Sequence, residues 1–353
     1  MKTSHKAWLS AIASLFILTG QACSGGGGVN LPDNGGLFKS IDRGTTWTQQ
    51  VDLLTTGGQI RRFVDSDIRP ILFDPADHES VFATSNKGGL FYSEDGGLSW
   101  KQDEFHAQKY LISVAIDHFD RCKWVVASQG KVYRTLDCGR GWREMLSETR
   151  AGVEIVEILT DHFNQNVLYV FNTNEVLKST DYGETWRTLH RFGAQVADSV
   201  MDARDSRVLY VATWGDGVWK TADGGATWTD VTTTLADSTN GQRVRRITQS
   251  VAEEGVYYVA TPYGLHKTTN GGEAWESLEL LTPPNAVTIR SFDVAPTDPR
   301  TIMYATDSSL YISQDAGATW KTLQKPTARR IDHLTFDFKD ANVVFLGTKK
   351  VEQ

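Results

Sequence analysis

The 353-residue sequence predicts an all-β fold, a single seven-bladed β-propeller of four-stranded antiparallel blades, and three observations carry that reading. An eight-residue motif, Ser/Thr-x-Asp-x-Gly-x-x-Trp, occurs seven times, first as Ser40-Ile41-Asp42-Arg43-Gly44-Thr45-Thr46-Trp47. Its tryptophans are Trp47, Trp100, Trp142, Trp186, Trp228, Trp275 and Trp320, spaced by 53, 42, 44, 42, 47 and 45 residues. Short apolar, β-branched runs broken by Gly, Asn, Asp and Pro lie between the copies, as strands and turns require. A period in the forties built from short strands means radial repetition of small sheets. Third, the two ends of the chain are complementary fragments of one repeat.

Taken in order, residues 1–22 read as a secretory signal, with basic Lys2, His5 and Lys6, a mostly apolar stretch over 7–18, and small residues before Cys23. Cys23, followed by Ser24 and four glycines, resembles the lipidated cysteine and flexible linker of a bacterial lipoprotein. Gly20 stands where that pattern usually has Leu, so plain secretion after cleavage at Ala22 is the alternative. The expected organisation is a signal peptide at 1–22, a tether at 23–35 and the propeller over 36–353.

The first motif has a C strand (36–40) and a D strand (46–50) but no A or B strand. Ile71-Leu72-Phe73-Asp74-Pro75, then Val81-Phe82-Ala83-Thr84, then Gly89-Leu90-Phe91-Tyr92-Ser93 form strands A, B and C of the first complete unit. Trp124-Val125-Val126-Ala127 is apolar throughout, as a strand buried on both faces must be. At the C-terminus, 333–338 and 343–347 supply an A and a B strand with no motif after them. Pairing 343–347 with 36–40 completes a seventh blade, closes the ring and removes an unpaired edge.

The motif chemistry is that of a turn. The acid at Asp42, Asp95, Asp137, Asp181, Asp223 and Asp315, replaced by Asn270 in one copy, is expected to accept backbone N–H groups two or three residues on. The glycine permits a positive φ, and the tryptophan anchors the next strand. A calcium loop needs several oxygen side chains within a dozen residues; each copy offers one carboxylate. These acids are therefore read as structural, with no metal, cofactor or catalytic residue expected.

The motif resembles the Asp-box (BNR) repeat of sialidases, sortilin-type receptor domains, xyloglucanase-type hydrolases and photosystem II assembly-factor-like propellers, over residues 37–348. The resemblance implies a β-propeller. The lipoprotein-like, single-domain, seven-bladed form is most similar to the assembly-factor-like group, which implies a non-enzymatic binding protein. A glycoside hydrolase, sialidase-like or xyloglucanase-like, is the alternative. Asp67-Ile68-Arg69-Pro70 resembles the sialidase Arg-Ile-Pro signature with the order changed, and that ring has six blades. Asp33 before Gly35-Gly36 loosely resembles the xyloglucanase N-terminal Asp motif, but the second propeller of that family has no counterpart.

Cys122 starts strand B of one blade and Cys138 lies in the motif after strand C. A turn centred near Gln129-Gly130-Lys131 sets them opposite one another, and export supplies an oxidising compartment, so a disulfide is expected.

In such blades the D–A links and B–C turns emerge on one face, around the channel mouth. The longest links here are 51–68 and 232–242, and long connections on a rigid scaffold tend to carry function. Arginines gather on this face over four contiguous blades: Arg61, Arg62 and Arg69; Arg243, Arg245 and Arg246; Arg290; Arg329 and Arg330. Arg69, Arg246 and Arg290 are expected at equivalent A-strand positions. Trp214 and Tyr263, in B–C turns, complete the candidate ligand-binding set. Such a crescent suits a carboxylate, sulfate, phosphate or acidic peptide, unless the arginines pair with local acids such as Asp65, Asp67 and Asp332.

Removing residues 1–22 takes away Lys2 and Lys6 and no acid, moving the net charge from −7 to −9. That excess disfavours nonspecific nucleic-acid binding. The expected partner is an envelope protein, an acidic peptide or a glycan. The chain is expected to be monomeric and to meet the membrane through its lipid alone.

Overall fold

The computed structural model describes residues 31–351, Thr56 and Thr239 excepted. The signal segment, Cys23 and most of the tether lie outside the described residues. Seven four-stranded antiparallel sheets and one two-stranded hairpin make up the sheet structure of the described residues. Blades 1 to 6 span 68–102, 111–147, 155–191, 196–230, 246–277 and 291–323. The seventh combines Arg330–Phe336 and Val344–Lys349 with Leu37–Ser40 and Thr48–Gln49.

Closure joins the expected pair of segments: Leu37 pairs with Gly347, Phe38 with Leu346, Lys39 with Phe345 and Ser40 with Val344. Apolar packing reinforces this seam. Leu37, Phe63, Ile68, Phe91, Trp100 and Phe345 share one buried cluster, in which Phe63 stacks on Phe91 with ring centroids 4.3 Å apart. Inner strands such as Trp124–Ser128 are buried along their length, whereas outer strands such as Arg143–Ser147 are largely exposed. That difference is why the inner strands are apolar throughout and the outer ones mixed.

Each Asp-box is a hydrogen-bonded knot. In the second copy, the Ser93 hydroxyl donates to Asp95 Oδ1 at 2.7 Å and accepts the Gly97 N–H at 2.8 Å. Asp95 Oδ1 accepts the Ser99 N–H at 2.9 Å. The carboxylate thus reaches four residues on, further than the sequence reading placed it, because the Ser/Thr hydroxyl takes the nearer N–H groups. Gly97 has φ 86°, a value a side chain would strain. The Trp100 indole N–H donates to the Gly97 carbonyl at 3.1 Å.

Lysines just before the box strap neighbouring blades together. Lys39, Lys178 and Lys220 donate to the carbonyls of Gly96, Gly224 and Gly271 in the next blade's box, at 2.8, 3.2 and 3.1 Å. Each ammonium passes over an aromatic ring, Phe345, Tyr169 and Tyr210 respectively, adding a cation–π contact to the hydrogen bond. Cys122 and Cys138 form a disulfide, with Cα atoms 4.0 Å apart.

The two long links differ from plain loops. The first carries a hairpin, Asp52–Leu54 against Ile60–Arg62, and the second a 3-10 turn at Thr233–Asp237. Residues 31–35, read from sequence as the end of the tether, lie against the propeller: the Pro32 carbonyl accepts the Ala328 N–H at 3.0 Å, and the Gly35 N–H donates to Val64 at 3.1 Å.

Candidate ligand-binding mouth of the channel

The A strands line the central channel, and register fixes which of their residues share a level. The Arg245 and Arg290 N–H groups each donate, at 2.8 Å, to the carbonyls of Ala260 and Ala305. Arg246 pairs with Ala260 and Ser291 with Ala305. The residue equivalent to Arg290 is therefore Arg245, together with Arg69, and not Arg246 as the sequence suggested. Arg246 lies one residue deeper, level with Glu157, Asp198 and His333. The one-residue shift in alignment arose because Arg245 and Arg246 are adjacent and chemically identical.

Arg69, Arg245, Arg246, Arg290 and Arg330 line a cavity of about 570 Å³ at the mouth, with Trp214, Lys349, Glu157, Asp198 and Asp332. The other candidates stand elsewhere. Arg61 and Arg62 belong to the outer hairpin, where Arg62 pairs with Asp52 at 3.1 Å. Arg329 is buried and bound to Asp33 and Asp65. Arg243 is exposed beside Trp214, its guanidinium 5.9 Å from the ring centroid. Tyr263 packs near His266 with centroids 5.9 Å apart. Those five do not line the cavity.

The lining arginines are unequally committed. Asp332 bridges Arg69 at 3.0 Å and Arg330 at 2.9 Å. Burial opposes ionisation of its carboxyl, but the surrounding cations hold its pKa below the ordinary value. Arg290 makes a two-pronged contact with Asp307, both bonds 2.9 Å. Arg246 lies 3.8 Å from Asp198 and donates to the Asp332 carbonyl at 3.2 Å. Arg245 has no carboxylate partner among the described residues. Its guanidinium rests 4.8 Å from the Trp214 ring centroid. Burial, then the charges of Arg290 and Arg246, lower its pKa, the signature of a cation crowded by cations.

The deeper level is a polar belt that the sequence reading missed. The Ser199 hydroxyl donates to Glu157 Oε2 at 2.6 Å, and Asp198 Oδ2 accepts the Ile247 N–H at 3.0 Å. Burial, reinforced by the Asp198 charge, raises the Glu157 pKa well above the usual carboxylate range; burial raises that of Asp198 too. His333 contacts the Ile71 carbonyl through Nε2 at 3.0 Å, and burial pushes its pKa down to about 3, so the ring is neutral. Aligning the A strands on the acid or turn residue that ends them would have exposed this belt in the sequence.

Residues 216–353 match the family model for Sortilin-Vps10, described as sortilin, neurotensin receptor 3. Among curated proteins, a probable oligoxyloglucan-reducing end-specific xyloglucanase from Neosartorya fischeri is 31% identical over 116 residues; this covers 30% of the chain but 14% of that enzyme. Among solved structures, the GH74 xyloglucanase from Xanthomonas campestris superposes with a TM-score of 0.66 at 17% identity, covering 80% of this chain and 51% of the enzyme. The chain thus spans about half of that enzyme or less. YCF48 bound to D1 peptide superposes with a TM-score of 0.60 at 14% identity, covering 82% of this chain and 94% of YCF48. The chain is a seven-bladed β-propeller of the Asp-box type, alike in fold to these two proteins.

Proposed function

We propose that the protein is a non-enzymatic scaffold, exported and held in the cell envelope by a lipid on Cys23, whose channel mouth captures a carboxylate-bearing peptide segment of a protein partner. One observation carries the reading: Arg245 has no acidic partner among the described residues, lies on Trp214 and shares a 570 Å³ cavity with Arg69, Arg246, Arg290 and Arg330. A planar guanidinium beside an aromatic ring suits a carboxylate next to an apolar or amide group. The D1 peptide bound by YCF48, a propeller of the same fold, supports a peptide as ligand. Its resemblance to the assembly-factor-like group extends the proposal to a role in assembling an envelope complex.

The test is fluorescence anisotropy with labelled Glu-rich peptides, with and without a C-terminal amide. Binding should weaken with salt and fall roughly tenfold or more in Arg245→Ala, since a hydrogen bond to a charged group contributes about 1.5–3 kcal/mol. Peptide affinity unchanged by that substitution would remove the mouth from consideration. The match to a xyloglucanase supports a glycan as the second reading; xyloglucan oligosaccharides that bind while the peptides do not would favour it.

A further inference from the structure

Just above the polar belt, several A strands carry one residue too many for their partner strand. In blade 2, Leu111 pairs with Ser128 and Ser113 with Ala127. In blade 3, Ile155 pairs with Asn172 and Glu157 with Phe171; in blade 4, Val196 pairs with Thr213 and Asp198 with Ala212. Ile112, Val156 and Ala197 are thus the extra residues of β-bulges, a feature that re-aims a side chain. All three line the mouth cavity and are half-buried, whereas Leu111, Ile155 and Val196 just before them are buried in the blades. The same position is Asp332 in blade 7, between the pairs Ile331–Thr348 and His333–Gly347. It falls at Arg245 in blade 5 and at Arg290 in blade 6.

One level of the mouth is therefore divided. Blades 2 to 4 present an aliphatic arc, and blades 5 to 7 with blade 1 present Arg245, Arg290, Asp332 and Arg69. In a ring of seven, blade 6 stands across from blades 2 and 3, so the two arcs face each other over the channel. Tyr110, which precedes the first strand of the aliphatic arc and is 39% exposed, adds an aromatic surface to the same wall. Ile112, Val156 and Ala197 offer no side-chain hydrogen-bonding group. A polar side chain set against them would lose water without replacement, while an apolar one gains by the area it covers.

We infer that the mouth selects an extended peptide segment in which an acidic residue and a bulky aliphatic residue are directly adjacent, the acid on Arg245 and its neighbour on Ile112 and Val156. This preference rests on the proposed carboxylate capture at Arg245 and adds a second determinant to it. Successive side chains of an extended chain point to opposite sides. A segment running along the channel axis with its carboxylate on the arginines therefore sends the next side chain to the aliphatic arc. A residue two places on returns to the cationic side, where an aliphatic side chain gains nothing comparable.

The experiment is fluorescence anisotropy with three labelled, end-capped Gly/Ser peptides that differ only around one glutamate, containing Glu-Leu, Glu-Ser or Glu-Ser-Leu. Glu-Leu should bind tighter than Glu-Ser by roughly tenfold, the effect of covering much of one leucine side chain. Glu-Ser-Leu should bind like Glu-Ser. Ile112→Thr combined with Val156→Thr, verified by its melting curve, should bring the ratio of Glu-Leu to Glu-Ser affinity close to one. Should that variant fail to fold, Val156→Thr alone should reduce the ratio. Arg245→Ala should weaken all three peptides and keep the ratio, since the two walls share no partner. Equal affinity for Glu-Leu and Glu-Ser, equal affinity for Glu-Leu and Glu-Ser-Leu, or a ratio that survives in the folded threonine variant would overturn the inference and leave carboxylate capture standing. Binding of none of the three would overturn both.

Discussion

Arg329 and Asp33 stand 296 residues apart in the chain, yet Arg329 Nε donates to Asp33 Oδ1 at 3.0 Å. The same guanidinium donates to the Val64 carbonyl at 3.1 Å and to Asp65 at 2.9 Å. It therefore ties the start of the fold, the first long link and the final A strand together. Its side chain is 4% exposed, while Asp33 and Asp65 are 67% and 86% exposed. The contact is a latch beside the strand pairing that closes the ring.

Replacing Arg329 by Met should weaken closure. The Val64 carbonyl would keep the Gly35 N–H, but the charge-assisted bonds of Arg329 to that carbonyl, Asp33 and Asp65 would go, a loss of about 1.5–3 kcal/mol. Arg329→Lys should recover part of this, since one ammonium cannot satisfy three separated acceptors. Urea unfolding measures both; midpoints equal to wild type would show that the latch adds nothing to the strand pairing.

The seam itself can be tested with one methyl group. A Cβ on Gly347 would lie 2.6 Å from the Ile68 carbonyl oxygen and 3.0 Å from its Cγ2. Neither atom can move without disturbing the pairing of the shared blade against blade 1. Gly347→Ala should cost about 1–3 kcal/mol, the usual range for overpacking, seen as a lower urea midpoint. A fully stable variant would mean that the seam is loose.

The Asp-box acids predict an acid transition. Hydrogen bonds from Thr185 to Asp181 and from Thr319 to Asp315 hold both carboxyls down to about 2. Their folded-state values lie below the unfolded one near 4, so the stability they contribute is complete above about pH 4 and lost as pH falls towards 2. Asp181→Asn and Asp315→Asn should flatten that part of the stability profile while keeping the acceptor, as Asn270 does naturally with the Ala274 N–H at 3.0 Å. An acid limb of the same steepness in the double variant would exclude the boxes as its source.

The fold was legible because the Asp-box repeats in phase, and because its turn depends on local chemistry that a short window of sequence displays. The complementary ends disclosed closure for the same reason, and the facing positions of Cys122 and Cys138 disclosed the disulfide. The mouth was legible only in part. Arg69, Arg245, Arg246, Arg290 and Arg330 meet there because A-strand starts converge on the axis. Arg61 and Arg62 leave it because their link folds into a hairpin, and Arg329 leaves it because acids from two distant segments capture it. Glu157 and Asp198 stayed hidden because in sequence each is an ordinary acid in a half-apolar strand; their level with Arg246 shows only once the A strands are aligned on the residues that end them.

That belt leads to a pH-dependent prediction for anion capture. Glu157 and Asp198 face the channel below the arginines, with Ser199, Arg246, the Ile247 N–H and neutral His333 around them. Burial, then the Asp198 charge, raises the Glu157 pKa, so the folded protein holds that proton more tightly than the unfolded chain. Stability should therefore decline as pH rises from the unfolded carboxylate value towards the raised one, the reverse of the Asp-box contribution. The same ionisation adds a negative charge under Arg246 and offsets the field of the crescent. Affinity for an acidic peptide should accordingly fall as pH rises from about 6 to about 9, across which Arg245 stays protonated. Glu157→Gln keeps the hydrogen bond with Ser199 and cannot ionise. It should bind at the higher pH as tightly as the wild type does at the lower, and its stability should lose the downward slope. Anisotropy titrations at matched ionic strength across this range decide the matter: a wild-type affinity flat with pH, or a slope that survives in Glu157→Gln, would show that Glu157 does not govern the charge of the mouth.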